Sequence, residues 1–238
     1  MPASPTVSPS KAEAVRAMFT RIARRYDLMN SLMTGGRHHA WRRRVADATA
    51  GAPGGPVLDL ATGTADLAIA VRARTPGRFV AGADFSEGML QVGQAKLRER
   101  RVVRVRLLAA DALSLPFRDG AFACVMSAFL LRNLEDLERG LAEMRRVTAR
   151  GGRVVTLDIV RPAPALWGAV FGAYFNHVVP AIGAFVAGDR QAYTYLPQSV
   201  DRFVTPDELV ELMEKVGLRD VTYRRFGLGT IAFHVGIA

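Results

Sequence analysis

The 238-residue chain holds a single cysteine, Cys124, so no disulfide can form within it. The thiol sits in the apolar run FACVMS and is expected to be a buried core group of a protein from a reducing, cytoplasmic setting. Lysine is almost as scarce. Lys11, Lys96 and Lys215 are the only three, and the other 29 of the 32 basic residues are arginine, against 22 acids and a net charge of +10. Such an excess points to an anionic partner, nucleic acid or a membrane surface, or simply to an arginine-rich composition. Metal-ligand spacing is missing too: His38 and His39 are adjacent, His177 and His234 stand alone, and there is no HxxxH or CxxC, so no metal is expected. The absence of a GxSxG elbow removes the serine-hydrolase reading.

Two further absences concern membranes. Residues 1–10 are rich in Pro and Ser without an apolar core, which predicts a disordered tail rather than a secretory signal. From Pro162 to Gly188 there is no charged side chain, long enough to raise a transmembrane helix. Pro162, Pro164 and Pro180 interrupt that stretch, and Asn176 and His177 lie inside it. It reads instead as two short apolar helices, Ala165 to Val178 and Ala181 to Gly188, in a helical insert spanning about residues 162–200.

What the chain does contain is a strand–helix alternation. Ser10 and Glu13 form a capping box, after which Val15, Met18, Phe19, Ile22, Tyr26 and Met29 recur at helical spacing. Strands are expected near Val57 and Val80, at Val105 to Ala109, Ala123 to Ser127 and Val154 to Asp158. Helices intervene up to Arg74, from Glu87 to Arg100 and from Leu134 to Ala149. Thr205, Pro206 and Glu208 open a last helix that stops at Gly217, and strands Asp220 to Arg225 and Ile231 to Val235 close the chain. This order predicts one α/β domain over residues 11–238, with a Rossmann-like, seven-stranded, mostly parallel sheet.

The run VLDLATGTAD, Val57 to Asp66, places an acid, Asp59, on a buried strand that breaks at Gly63 into a helix. A second acid, Asp84, ends the next apolar run 21 residues beyond Gly63, where doubly wound folds keep the carboxylate that receives ribose hydroxyls. The dinucleotide pattern GxGxxG is absent, which favours a cofactor with ribose but no pyrophosphate, of which S-adenosylmethionine is the common one. Ligands of open α/β sheets sit at the carboxyl ends of the strands. Asp59, Thr62, Gly63, Thr64 and Asp66 are therefore assigned to the methionine part, Asp84 to the ribose, Asp111 and Ala112 to the adenine edge, and the stretch from Ala128 to Asn133 to the sulfonium side.

The segment YDLMNSLMTGGRHHAW, Tyr26 to Trp41, resembles the amino-terminal signature of the quinone-ring C-methyltransferases of ubiquinone and menaquinone biosynthesis, matching Tyr26, Asp27, Met29, Asn30, Thr34, His38 and Trp41. The likeness continues through ADFSEGML, DALSLPF, LLRNL, NHVVPAIG, YTYLPQSV, RFVTPDEL and GTIAFHVG. It implies a class I S-adenosylmethionine-dependent methyltransferase fold acting on a polyprenylated hydroquinone. Thr62 and Ala65 stand where that family has glycines, which predicts looser cofactor contact. Ala128 replaces a serine and Leu130 a glycine, and Asp158 replaces a glutamate.

By the same resemblance, Arg132 and Asn133 lie beside the reacting ring, with Arg132 stabilising a phenolate. The proton acceptor is left open among Asp27, His38, His177, Tyr193, Tyr195 and a water held by one of them. The substrate expected is demethylmenaquinol, with 2-polyprenyl-6-methoxybenzoquinol as the alternative, and a non-catalytic cofactor-binding protein as the alternative of another class. A nucleic-acid acceptor is not expected, since no NPPY-like element follows the fourth strand. The uncharged insert is expected to take the prenyl tail, while Arg24, Arg25, Arg42 and Arg43 meet anionic head groups. A homodimer interface is the competing use of the same apolar surface.

Overall fold

The structure is a computed structural model that describes residues 10–162, 168, 171–183 and 190–238. The tail at residues 1–9 and most of the expected helix from Ala181 to Gly188 lie outside these. Seven strands form one sheet: β1 (Val57–Leu60), β2 (Val80–Asp84), β3 (Val105–Ala109), β4 (Phe122–Ala128), β5 (Thr148–Ile159), β6 (Arg219–Phe226) and β7 (Ile231–Ile237). Their order is β3-β2-β1-β4-β5-β7-β6, and only β7 runs against its neighbours. The chain winds outward from β1 to β3, then returns to the other side of β1 as β4. That reversal opens a crevice above the carboxyl ends of β1 and β4.

The inner strands are nearly continuous apolar runs because helices cover both faces. Leu58, Leu60 and Val125 face one core layer, closed by Leu141 and Met144 of α6 (Leu137–Val147) and by α9 (Pro206–Lys215). Val57, Cys124 and Met126 face the other, closed by α3 (Arg37–Ala50) and α4 (Asp66–Arg74). Cys124 is fully buried in the sheet, and burial pushes its thiol up to about 12, so it is inert core. A third cluster joins the amino-terminal helices to α5 (Glu87–Glu99) and to the insert through Met18, Met29, Met89, Phe175 and Tyr193.

The amino-terminal helix differs from its sequence reading. The capping box at Ser10 is present, but the helix breaks into α1 (Lys11–Ile22), a 3₁₀ turn (Ala23–Arg25) and α2 (Tyr26–Thr34). One apolar stripe serves both pieces because Met18 and Ile22 before the break, and Met29 after it, enter the same cluster. In the insert, the helical backbone passes straight through Pro180. A π-helical turn, Tyr174–Val178, runs into α7 (Val179–Ile182), and the wider turn relieves the clash a proline makes with the carbonyl four residues back. Helix α8 (Arg190–Asp201) likewise contains Pro197. No described helix is long and apolar enough to cross a membrane.

The glycine pair within β5 has two separate causes. Gly151 adopts φ +75°, and a Cβ at Gly152 would lie 2.7 Å from the Ala149 carbonyl oxygen and 2.8 Å from that of Ala123. Backbone oxygens on both sides cannot yield, so Gly152→Ala is expected to destabilise the fold by about 2 kcal/mol. Thermal unfolding should show a Tm lowered by roughly 4–8 °C.

Candidate active site

A cavity of about 470 Å³ opens over the carboxyl ends of β1 to β4. Asp84, at the end of β2, lines it. Its Oδ2 accepts the Gly63 N–H at 2.8 Å and its Oδ1 the Ser86 N–H at 2.8 Å, and each oxygen keeps a further lone pair for a ligand hydroxyl. Burial raises the Asp84 carboxyl above the ordinary carboxylate range, and the Ser86 and Gly63 amides offset part of that. Gly63 adopts φ +54°, and nothing lies within 4 Å of where its Cβ would be. Asp111, Ala112 and Ala128 also line this cavity, as expected of them. Helix α1 roofs it through Val15, Arg16 and Phe19, a cover that the sequence reading missed.

Four of the other residues assigned to the cofactor line neither cavity: Asp59, Thr62, Thr64 and Asp66. Thr62 Oγ1 donates to Asp59 Oδ2 at 2.6 Å beneath the loop, and burial pushes the Asp59 carboxyl up to about 7 despite that bond. Thr62 and Ala65, which depart from the family's glycines, both turn their side chains away from the cavity. Ala65 is fully buried in the core beside α3 and α4, so its methyl takes no space from the cavity. The cost falls on the backbone, because Ala61 (φ 57°) and Ala65 (φ 66°) are both left-handed.

A second, larger cavity of about 630 Å³ adjoins the first, and Phe19, Tyr26, Phe129 and Asn133 line both. Its walls are mainly apolar and include Met18, Met33, Phe171 and Phe175. Arg132 lines it with its side chain 6 % exposed, paired with the Asp158 carboxylate on β5. Asn133 is fixed from two sides: its Nδ2 donates to the Phe129 carbonyl at 2.9 Å, and its Oδ1 accepts from Tyr195 Oη at 3.3 Å. Burial raises the Tyr195 phenol above its ordinary range. His38, Tyr193 and Tyr195 also line this chamber. Its sequence signal was partial, since Asp158 stood out only as a replaced glutamate and gave no sign of its pairing with Arg132.

Three expectations are corrected at this point. Asp27 does not reach either cavity; its Oδ1 accepts from Thr64 Oγ1 and its Oδ2 from Lys96 Nζ, both at 2.6 Å. His177 is exposed on the π-helical turn, away from the lining. Arg42 faces inward rather than outward, 7 % exposed, with Nη1 2.9 Å from Asp66 Oδ2. Lys96 Nζ also donates to Asp66 Oδ1 at 2.6 Å and to Thr64 Oγ1 at 3.1 Å. Burial opposes charge on Asp66, but the Arg42 guanidinium and Lys96 ammonium outweigh it and hold the carboxyl below its usual range. Among the described residues no cluster of His, Cys, Asp or Glu suits a metal ion.

The sequence matches the ubiE/COQ5 methyltransferase family over residues 7–238. The chain belongs to that family. It is 45 % identical over 219 residues to a demethylmenaquinone methyltransferase of Thermus thermophilus, covering 92 % of this chain and 99 % of that one. A protein of the same name from Deinococcus radiodurans is 44 % identical over 95 % of this chain and 93 % of its own. Among solved structures, a possible histamine N-methyltransferase of Thermotoga maritima superposes with a TM-score of 0.63 at 18 % identity, covering 93 % of this chain and 98 % of that one, which shows the shared fold. The protein is thus a class I, S-adenosylmethionine-dependent methyltransferase. The cavity at the β1/β4 crevice fits that donor: Asp84 offers free lone pairs, and the left-handed glycine lets the backbone approach closely.

Removing the ammonium that joins Asp27 and Asp66 would leave two carboxylates facing each other, partly buried. Lys96→Met is expected to destabilise the protein by about 3 kcal/mol. A Tm lowered by roughly 10 °C would confirm this, and an unchanged Tm would show that the cluster is not structural.

Proposed function

We propose that the protein transfers the methyl group of S-adenosylmethionine to a ring carbon of a polyprenylated demethylmenaquinol, giving menaquinol. The observation that carries this reading is the junction of a cofactor cavity with an apolar chamber across Phe19, Tyr26, Phe129 and Asn133. An apolar chamber suits a prenylated aromatic ring, and the demethylmenaquinone methyltransferases it resembles align over nearly their whole length. The same names favour the naphthoquinol over the benzoquinol, and intact walls at Asp84, Arg132 and Asn133 speak against a protein that only binds the cofactor.

When bound, S-adenosylmethionine supplies an electrophilic methyl on a sulfonium. The chain's own contribution is placement and shielding. Asp84 takes the ribose hydroxyls, Asp111 and Ala112 border the adenine, and Phe19 and Phe129 keep water from the junction. Arg132, held by Asp158, presents a buried Nε that has no partner. In this reading that N–H donates to a ring oxygen as negative charge develops there. Leu32, Leu228 and Arg37 are exposed and also line the chamber, so they mark its mouth, from which a prenyl tail leaves toward a lipid surface. Flotation with anionic vesicles should carry the protein upward at low salt; retention in the soluble fraction would reject the membrane contact.

Labelled S-adenosylmethionine should transfer its methyl to a reduced demethylmenaquinol in detergent, and not to a benzoquinol or to total RNA. Label in RNA alone, or in no acceptor while the cofactor binds, would reject the assignment. Arg132→Lys keeps a cation for Asp158 but loses the planar guanidinium. It is expected to lower kcat by about 100-fold while the cofactor Kd, measured by calorimetry, stays within about twofold.

A further inference from the structure

Methylation of a hydroquinone carbon releases a proton, and the chamber holds one group built to receive it. His38 opens α3, lines the chamber and is 1 % exposed. Its Nδ1 lies 2.9 Å from Thr34 Oγ1. The Thr34 hydroxyl has one hydrogen, which it donates to the Asn30 carbonyl at 2.6 Å. Thr34 can therefore only accept from the ring, so Nδ1 carries the hydrogen and Nε2 is the bare, basic nitrogen. Nε2 is buried and has no hydrogen-bond partner. A buried acceptor without a partner, on a residue that lines a substrate chamber, is costly unless a ligand donor completes it.

We propose that His38 Nε2 is the base that takes the hydroquinone hydroxyl proton, with Thr34 as the positioning residue that fixes its tautomer. The inference rests on the quinol-methylation reading above. The hydroxyl O–H bond breaks and its proton moves to Nε2. The oxygen electron pair is delocalised onto the adjacent ring carbon, which forms the new bond to the methyl, while the sulfur–carbon bond breaks with its pair left on sulfur. The hydrogen displaced from that carbon returns to the ring oxygen as the aromatic ring is restored, and the proton on His38 is the one released to solvent.

Three of the other candidates are less suited. Asp27 is fully engaged with Thr64 and Lys96, and His177 lies off the chamber. Tyr195 is a phenol whose burial disfavours its anion. The groups that face His38 are Arg42 and His39 on its own helix, Asp66 on α4 and Asp27 on α2. Burial, then Arg42 and His39, lower the imidazole to about 4, with Asp66 and Asp27 opposing, so the ring is neutral at physiological pH and holds a proton only beside the negative charge that develops on the substrate. Asn30 Nδ2 and Arg132 Nε are further buried donors without partners on the same chamber.

The test compares the full-length wild type with His38→Asn, whose amide can still donate to Thr34 but offers nothing at the Nε2 position. With demethylmenaquinol and saturating cofactor, kcat is expected to fall by roughly 10²–10³-fold at pH 7 while the quinol KM and cofactor Kd change little. The ratio of variant to wild-type rate should climb about tenfold per pH unit above pH 7, as hydroxide takes over from the missing base. Thr34→Val, which frees the tautomer without touching the base, should lower kcat about tenfold and serves alone if His38→Asn does not fold. Near-wild-type kcat in both variants, or a rate ratio independent of pH, would overturn the proposal while leaving the methylation assignment standing. An inactive wild type would overturn that assignment, and this proposal with it.

Discussion

The ammonium of Lys96 is the constraint on which the two halves of the site depend. It donates to Asp27 on the helix bordering the substrate chamber, to Thr64 in the cofactor loop and to Asp66 at the start of α4. All three of its hydrogens are used, in three directions, from a compact charge at the end of a flexible stem. A guanidinium is planar and presents its donors as a fork, so it would not serve three acceptors arranged around one point. In a chain where arginine outnumbers lysine 29 to 3, lysine persists at this position for a geometric reason. Arg42, by contrast, meets one carboxylate oxygen of Asp66 from the side, a role a guanidinium fills easily.

The amino-terminal helices are consequently part of the site rather than a cover laid over it. Thr64 binds Asp27, and Asp27 sits one residue after Tyr26, which lines both cavities. A shift of α2 relative to the cofactor loop would break the 2.6 Å contacts that Asp27 makes with Lys96 and Thr64. The buried Arg132–Asp158 pair likewise ties a chamber-lining residue to β5. Taking two charges out of water is expensive, and an apolar pair of equal volume would stabilise the fold as well or better. What the charge pair adds is a fixed cation, on a residue that lines the chamber, with one buried N–H left without a partner.

The inner sheet was readable from the sequence because β1, β2 and β4 are short apolar runs followed by turn signals, and Gly63 and Asp84, singled out by their spacing, are joined by a hydrogen bond. Three of the assignments that went astray share one physical cause. Asp27, Arg42 and Asp66 are charged residues at loop or helix positions, where sequence offers only exposure or catalysis as readings. Their actual partners lie 24 to 69 residues away, and nothing in local periodicity encodes such pairings. The π-helical turn was hidden for a similar reason, since Pro180 reads as a breaker unless the preceding turn is known to be wide.

The departures from the family's glycine pattern bear on whether the chemistry survives in this chain. A glycine can be required for the space beside its Cα or for its backbone conformation, and the two requirements separate here. At Gly63 the space beside Cα faces the cofactor cavity, and glycine is kept. At Ala65 the methyl turns into the core, where it is fully buried, so only the left-handed backbone is taxed, by about 1 kcal/mol. Thr62 spends its side chain on the buried Asp59 carboxyl, which would otherwise lose a bonded partner. The substitutions therefore fall on the side of the loop that faces the protein, and the side that faces the cofactor keeps its form. A loop that had lost its ligand would show no such division, because nothing would distinguish one face of it from the other.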